Sequence, residues 1–139
     1  MDNKKSLILT NKKENAMIKI YVAGHDQRTS RKIAEMLPRD KVQITASWLY
    51  VDMDFEKVMD EFEKMDGANR DVNEILDADA ILFLASLRRS PGGKHVELGV
   101  AIGAGKKVFA IGHRENFLMF SDKVSMFDSV EDFINRGLA

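Results

Sequence analysis

Six consecutive apolar residues, Ala80-Ile81-Leu82-Phe83-Leu84-Ala85, constrain the fold most. A strand with no polar side must be covered on both faces. Sheets covered on both faces are parallel ones, because the helices that return the chain supply the cover. The rest of the sequence fits that demand. Ile18–Ala23 is rich in β-branched and aromatic residues and stops at Gly24. Lys107–Ile111 stops in the same way at Gly112. Val42–Ala46 reads as a short strand and Val124–Phe127 as a weak fifth.

Helical periodicity falls between these strands. Ile33, Ala34, Met36 and Leu37 share a face over 30–37, and Pro38 ends it. Phe55, Val58, Met59, Phe62 and Met65 make one apolar stripe, suited to a core or a subunit interface, and Gly67 is expected to interrupt the helix. A separate short helix is expected over 69–76, opened by Asp71. Another runs from Lys94 to Gly105, which reads as a left-handed cap, and a last one covers 130–135. Strand–helix alternation predicts a flavodoxin/Rossmann-like α/β fold: an open, parallel five-stranded sheet with helices on both faces. The folded domain is expected over 17–139, after a mobile tail at 1–16.

Composition narrows the function. A net charge of −1 over 139 residues offers no field for a polymeric nucleic acid. No apolar run approaches the roughly 18 residues of a membrane span. With no cysteine there is no disulfide, thiolate metal site or cysteine nucleophile, as suits a cytoplasmic protein. His25, His95 and His113 fall on three loops without ligand spacing, so no metal or other cofactor is expected.

In open parallel sheets, ligands bind beyond the carboxyl ends of the strands where the strand order reverses. Three loops leave those ends: Gly24–Arg28, Leu87–Gly93 and Gly112–Asn116. Gly92 and Gly93 precede a helix, where bare amides accept an anion; the plainer reading is a tight turn needing positive φ. Ser90 adds a hydroxyl, and Arg28, Arg88, Arg89 and Lys94 add positive charge. Glu97 is expected in the first turn of that helix, kept ionised by its dipole as a nucleophile must be. Asp71 is the second candidate carboxylate, with helix capping as its plainer role. Trp48 suits either a stacking wall or a core position.

Taken together, the segments IYVAG, NRDVNEILDADAILFLA, GGKHVELG and GHRENF resemble the nucleoside 2-deoxyribosyltransferase-like family over residues 18–135. The resemblance implies cleavage or transfer at the N-glycosidic bond of a nucleoside or nucleotide. It places the nucleophile on Glu97 and the proton-transferring aspartate on Asp71. Gly24, with the loop carrying His25 and Arg28, would line the sugar pocket. Ser90, Gly92 and Gly93 would contact a 5′-phosphate, as in the nucleotide N-hydrolase branch, and Trp48 would flank the base. Asn116 would act from a neighbouring subunit of a homo-oligomer. Nucleoside transferases of the family carry Asp-Gly-Thr where this chain has Ser90-Pro91-Gly92-Gly93, which favours a nucleoside 5′-monophosphate. A non-catalytic nucleotide sensor and an NAD-type glycohydrolase remain as alternatives.

Overall fold

The structure is a computed structural model that describes residues 17–52, 57–88 and 91–139. The expected tail at 1–16, Phe55, Arg89 and Ser90 lie outside the described residues. The five strands are β1 (Ile18–Ala23), β2 (Val42–Ile44), β3 (Ala80–Leu84), β4 (Lys107–Ile111) and β5 (Val124–Phe127). They form one sheet in the order β2-β1-β3-β4-β5, with every neighbouring pair parallel. The apolar run is the middle strand, β3, and all five of its residues are buried.

The helices are α1 (Gln27–Met36), α2 (Glu61–Asp77), α3 (Gly93–Gly103) and a short α4 (Val130–Asp132) that widens into a π-turn over Phe133–Gly137. The chain steps one way from β1 to β2 and the other way from β2 through β3 to β4. Crossovers of one hand therefore put α1 on one face, and α2 and α3 together on the other. α2 and α3 do pack on each other.

Two expectations need correction here. The separate helices before and after Gly67 are one continuous helix, α2. A glycine in a helix interior costs only about 1 kcal/mol. That is offset by a capping box, in which Asp60 accepts from the Glu63 amide while the Glu63 side chain accepts from the Asp60 amide. Asp71 therefore sits inside α2, whose N-cap is Asp60, and does not open a helix. In addition, Val58 and Met59 precede the helix, and Phe62 and Met65 stand exposed, so their stripe is not core.

Other local readings hold. Gly105 has φ +73, the left-handed conformation expected after α3. Pro38 follows α1 directly after its C-cap, Leu37. Asp77 and Asp79 lie at the entrance to β3. There Asp79 accepts from the Lys19 amide at 2.8 Å and Asp77 pairs with the Lys19 ammonium at 3.7 Å.

Candidate active site

The strand order reverses between β1 and β3, and a cavity of about 750 Å³ opens there. One wall is the turn before α1 and its first half, with His25, Arg28 and Ile33; the other is the end of β3 and the segment after it, with Leu84, Ser86 and Arg88. Its size falls within the roughly 300–1,000 Å³ usual for small-molecule sites. Gln27 braces this rim by donating to the carbonyls of Trp48 at 2.8 Å and Val51 at 2.7 Å.

Gly24 shapes the rim by packing. A Cβ there would stand 2.2 Å from the Ser30 Oγ, which α1 buries against the strand end. Asp26 caps α1, accepting from the Thr29 amide at 3.0 Å and from the Thr29 hydroxyl. Its carboxylate occupies the α1 N-terminus, so the anion-receiving groups of this cavity are the arginines.

The two candidate carboxylates meet on the opposite face of the sheet. Glu97 comes from α3, Asp71 from α2, and the two are electrostatically coupled. Between them stands a residue the sequence reading missed, Tyr21 of β1. Its ring is fully buried, and burial first, then the Glu97 charge, keeps its phenol protonated well beyond the ordinary range. Tyr21 looked like one more strand residue; its role depends on α2 and α3 crossing the same face of β1.

The phenol oxygen makes no hydrogen bond of good geometry, yet it lies close enough to Glu97 to hold that carboxyl's pKa down. We read this as a loose contact, short of a formed bond. Two influences oppose this one on Glu97, burial as the largest of the three and the Asp71 charge as the smallest. Burial raises its pKa most and the Asp71 charge raises it further, with a net result of about 7 against an ordinary 4.5. The expected dipole-held ionisation is thus corrected. α3 begins at Gly93, so Glu97 lies beyond the first turn, where the dipole has faded and desolvation dominates. A carboxyl poised near 7 exchanges a proton readily at neutral pH.

The Tyr21 contact supports a prediction. Tyr21→Phe removes the group that lowers the Glu97 pKa, so that pKa should move above 7, measured by carbon-13 NMR titration of labelled glutamate. An unchanged or lowered value would mean that the phenol does not reach the carboxyl.

Gly92 has φ +101 and forms the N-cap of α3 without any side-chain cap, which bears out the tight-turn reading; Gly93 is the first helical residue. Lys94 is not free to meet an anion. Its ammonium is buried, bonded to Glu115 at 2.5 Å and to the Leu84 carbonyl at 3.2 Å, 4.9 Å from the Phe83 ring centre. Asn116 is also engaged within the chain. Its Oδ1 accepts from the Met119 amide at 3.2 Å, so its amide nitrogen donates to His95 Nδ1 at 3.0 Å. Helical geometry puts His95 and Glu97 about 200° apart around α3, so Asn116 lies on the far flank from Glu97.

Trp48 is half-buried on a 3-10 turn (Ser47–Tyr50) after β2 and donates its indole N–H to the Val22 carbonyl at 2.8 Å. It is tied to the core, with part of the ring left open. His25, Arg28 and Arg88 therefore gather at the cavity and Tyr21, Asp71 and Glu97 behind it, on either side of the β1 and β3 ends. Among the described residues no three His, Asp or Glu side chains converge as a metal would need.

No protein-family model matches the chain, and neither does any curated protein. Solved structures do. A 2-deoxyribosyltransferase from Bacillus psychrosaccharolyticus aligns with a TM-score of 0.65 at 23% identity, over 84% of this chain and 90% of that one. The CMP N-glycosidase BcmB of Clostridium botulinum aligns at 0.56 and 16% identity, over 85% and 96%. A 2-deoxyribosyltransferase from Leishmania mexicana aligns at 0.53 and 23% identity, over 87% and 99%. At these identities the likeness establishes a shared fold.

Proposed function

We propose that the chain is an enzyme that breaks or exchanges the N-glycosidic bond of a nucleoside 5′-monophosphate. The carrying observation is the half-buried Glu97 carboxyl, which burial raises to a pKa of about 7, beside Tyr21 and Asp71 at the switch point of the sheet. Its fold neighbours, two deoxyribosyltransferases and a CMP N-glycosidase, support the same chemistry.

In this reading ionised Glu97 attacks the anomeric carbon as the bond to the base breaks. The departing base takes a proton from Asp71 or from a water that Asp71 positions. Water, or a second base, then attacks the glycosyl ester and frees Glu97. This is the double displacement of retaining glycosidases applied to an N-glycoside. Arg28 and Arg88 anchor the phosphate with the Ser90–Gly93 loop, and Trp48 flanks the base. Tyr21 steadies the Glu97 carboxylate.

The pH dependence follows with a definite sign. The nucleophile acts only when deprotonated, so kcat/KM for base release should rise with pH through about 7 and level off above it. Initial rates with a panel of ribo- and deoxynucleoside monophosphates, followed by chromatography of the free base, measure this. A rate that falls through the same window would instead make Glu97 the acid.

A further inference from the structure

Two polar atoms on the inward face of α1 have no partner among the described residues. Ser30 is only 2% exposed, yet it lines the cavity between α1 and the segment after β3. Its hydroxyl makes no hydrogen bond to any described residue, where a buried polar group is normally paired. Gly24 keeps that oxygen open, since a Cβ at this position would collide with it.

Gln27 stands one turn earlier on the same face and lines the same cavity. Its amide nitrogen donates to the Trp48 carbonyl at 2.8 Å and to the Val51 carbonyl at 2.7 Å. A glutamine amide has two N–H donors and one acceptor, so these two carbonyls fix which end is which. What remains is Oε1, an acceptor that no described residue meets.

The pair is neutral: one fixed acceptor and one hydroxyl able to donate. It does not suit an anion, because Oε1 repels one and the Asp26 carboxylate already holds the α1 N-terminus. The cavity's arginines stand apart from it. Arg28 lies about 100° around α1 from Gln27, and Arg88 is on the opposite wall. Gln27 also ties the pair to the turn carrying Trp48, whose ring is half-buried and partly open. A flat ring resting on the indole would turn its edge to α1. The edge of each common nucleobase carries an N–H beside a lone-pair acceptor, the complement of Oε1 and the hydroxyl. Building on the proposed nucleoside monophosphate substrate, we propose that Gln27 Oε1 and Ser30 Oγ form the subsite that binds the edge of the base, separate from the arginines that hold the phosphate.

Binding is measured by calorimetry in the Glu97→Gln chain, which leaves the ligand intact, so the result does not depend on catalysis. The tightest-binding common nucleoside 5′-monophosphate should lose about 5- to 10-fold in affinity when Ser30→Ala is added. Ribose 5-phosphate has no base and should bind equally with and without Ser30→Ala. The deamino or deaza analogue of the tightest nucleotide, which lacks the edge N–H, should bind at least about 10-fold more weakly than its parent, because Oε1 is then unmet. The unliganded Ser30→Ala chain should melt no lower than its parent, because the hydroxyl it loses had no partner. Unchanged nucleotide affinity in Ser30→Ala, an equal loss for ribose 5-phosphate, full affinity for the deamino or deaza analogue, or a lowered melt would each overturn the subsite and leave the proposed substrate standing. No binding of any nucleoside monophosphate would overturn both.

Discussion

Glu97→Gln is expected to lose base release by at least about 10³-fold and to make the protein more stable at pH 8. The two effects share a cause. Glu97 has a folded pKa of about 7 against 4.5 when free, so the folded chain binds the proton more tightly than the unfolded one. The native state therefore gains most below pH 4.5, and that gain is lost as pH rises toward 7. Above 7 a charge is confined in a poorly solvated place, costing about 1–3 kcal/mol once solvent relaxation is allowed for. Glutamine keeps the shape without the charge. Urea unfolding should show the variant ahead of wild type at pH 8 and nearly level with it at pH 4. Equal stability at both pH values would mean that burial does not govern this carboxyl.

Lys94→Met is expected to destabilise the fold by about 3–5 kcal/mol, the usual cost of removing one partner of a buried ion pair. The Lys94 side chain is 1% exposed and the Glu115 side chain 13%, so Glu115 would lose its partner with little water to replace it. The Leu84 carbonyl would lose its donor as well. Because the ammonium joins the end of β3, the first turn of α3 and the loop after β4, the loss should loosen all three. Making both residues methionine should recover part of the deficit, since no charge is then stranded. Urea denaturation of the two single variants and the double measures the coupling. A Lys94→Met loss below about 1 kcal/mol would show that water already reaches the pair.

The sheet was legible because its signals are local. Apolar runs mark β1, β3 and β4, with glycines closing β1 and β4, and helical periods between them dictate parallel strands. The segments around Glu97 and Asp71 singled out both carboxylates as candidates, and the fold brings the two within electrostatic reach of each other. What escaped was set by contacts between distant segments. Gly67 reads as a helix break until the Asp60–Glu63 box and the packing of Ile75 are counted. Lys94 reads as a free cation until Glu115, twenty-one residues on, is seen to hold it. Tyr21 gains carboxyl neighbours only when two helices cross its strand, and Glu97 departs from ordinary acidity chiefly because that packing buries it.

Attachment of a sugar to Glu97 tests the central claim most directly. The full chain, incubated with a 2′-fluoro nucleoside monophosphate that slows release of the glycosyl ester, would be digested and the peptide carrying Glu97 weighed. The account predicts added mass equal to the fluorinated sugar phosphate on Glu97, release of one base per chain, and neither in Glu97→Ala. Base release with no mass added to Glu97, or with mass added to another side chain, would contradict it.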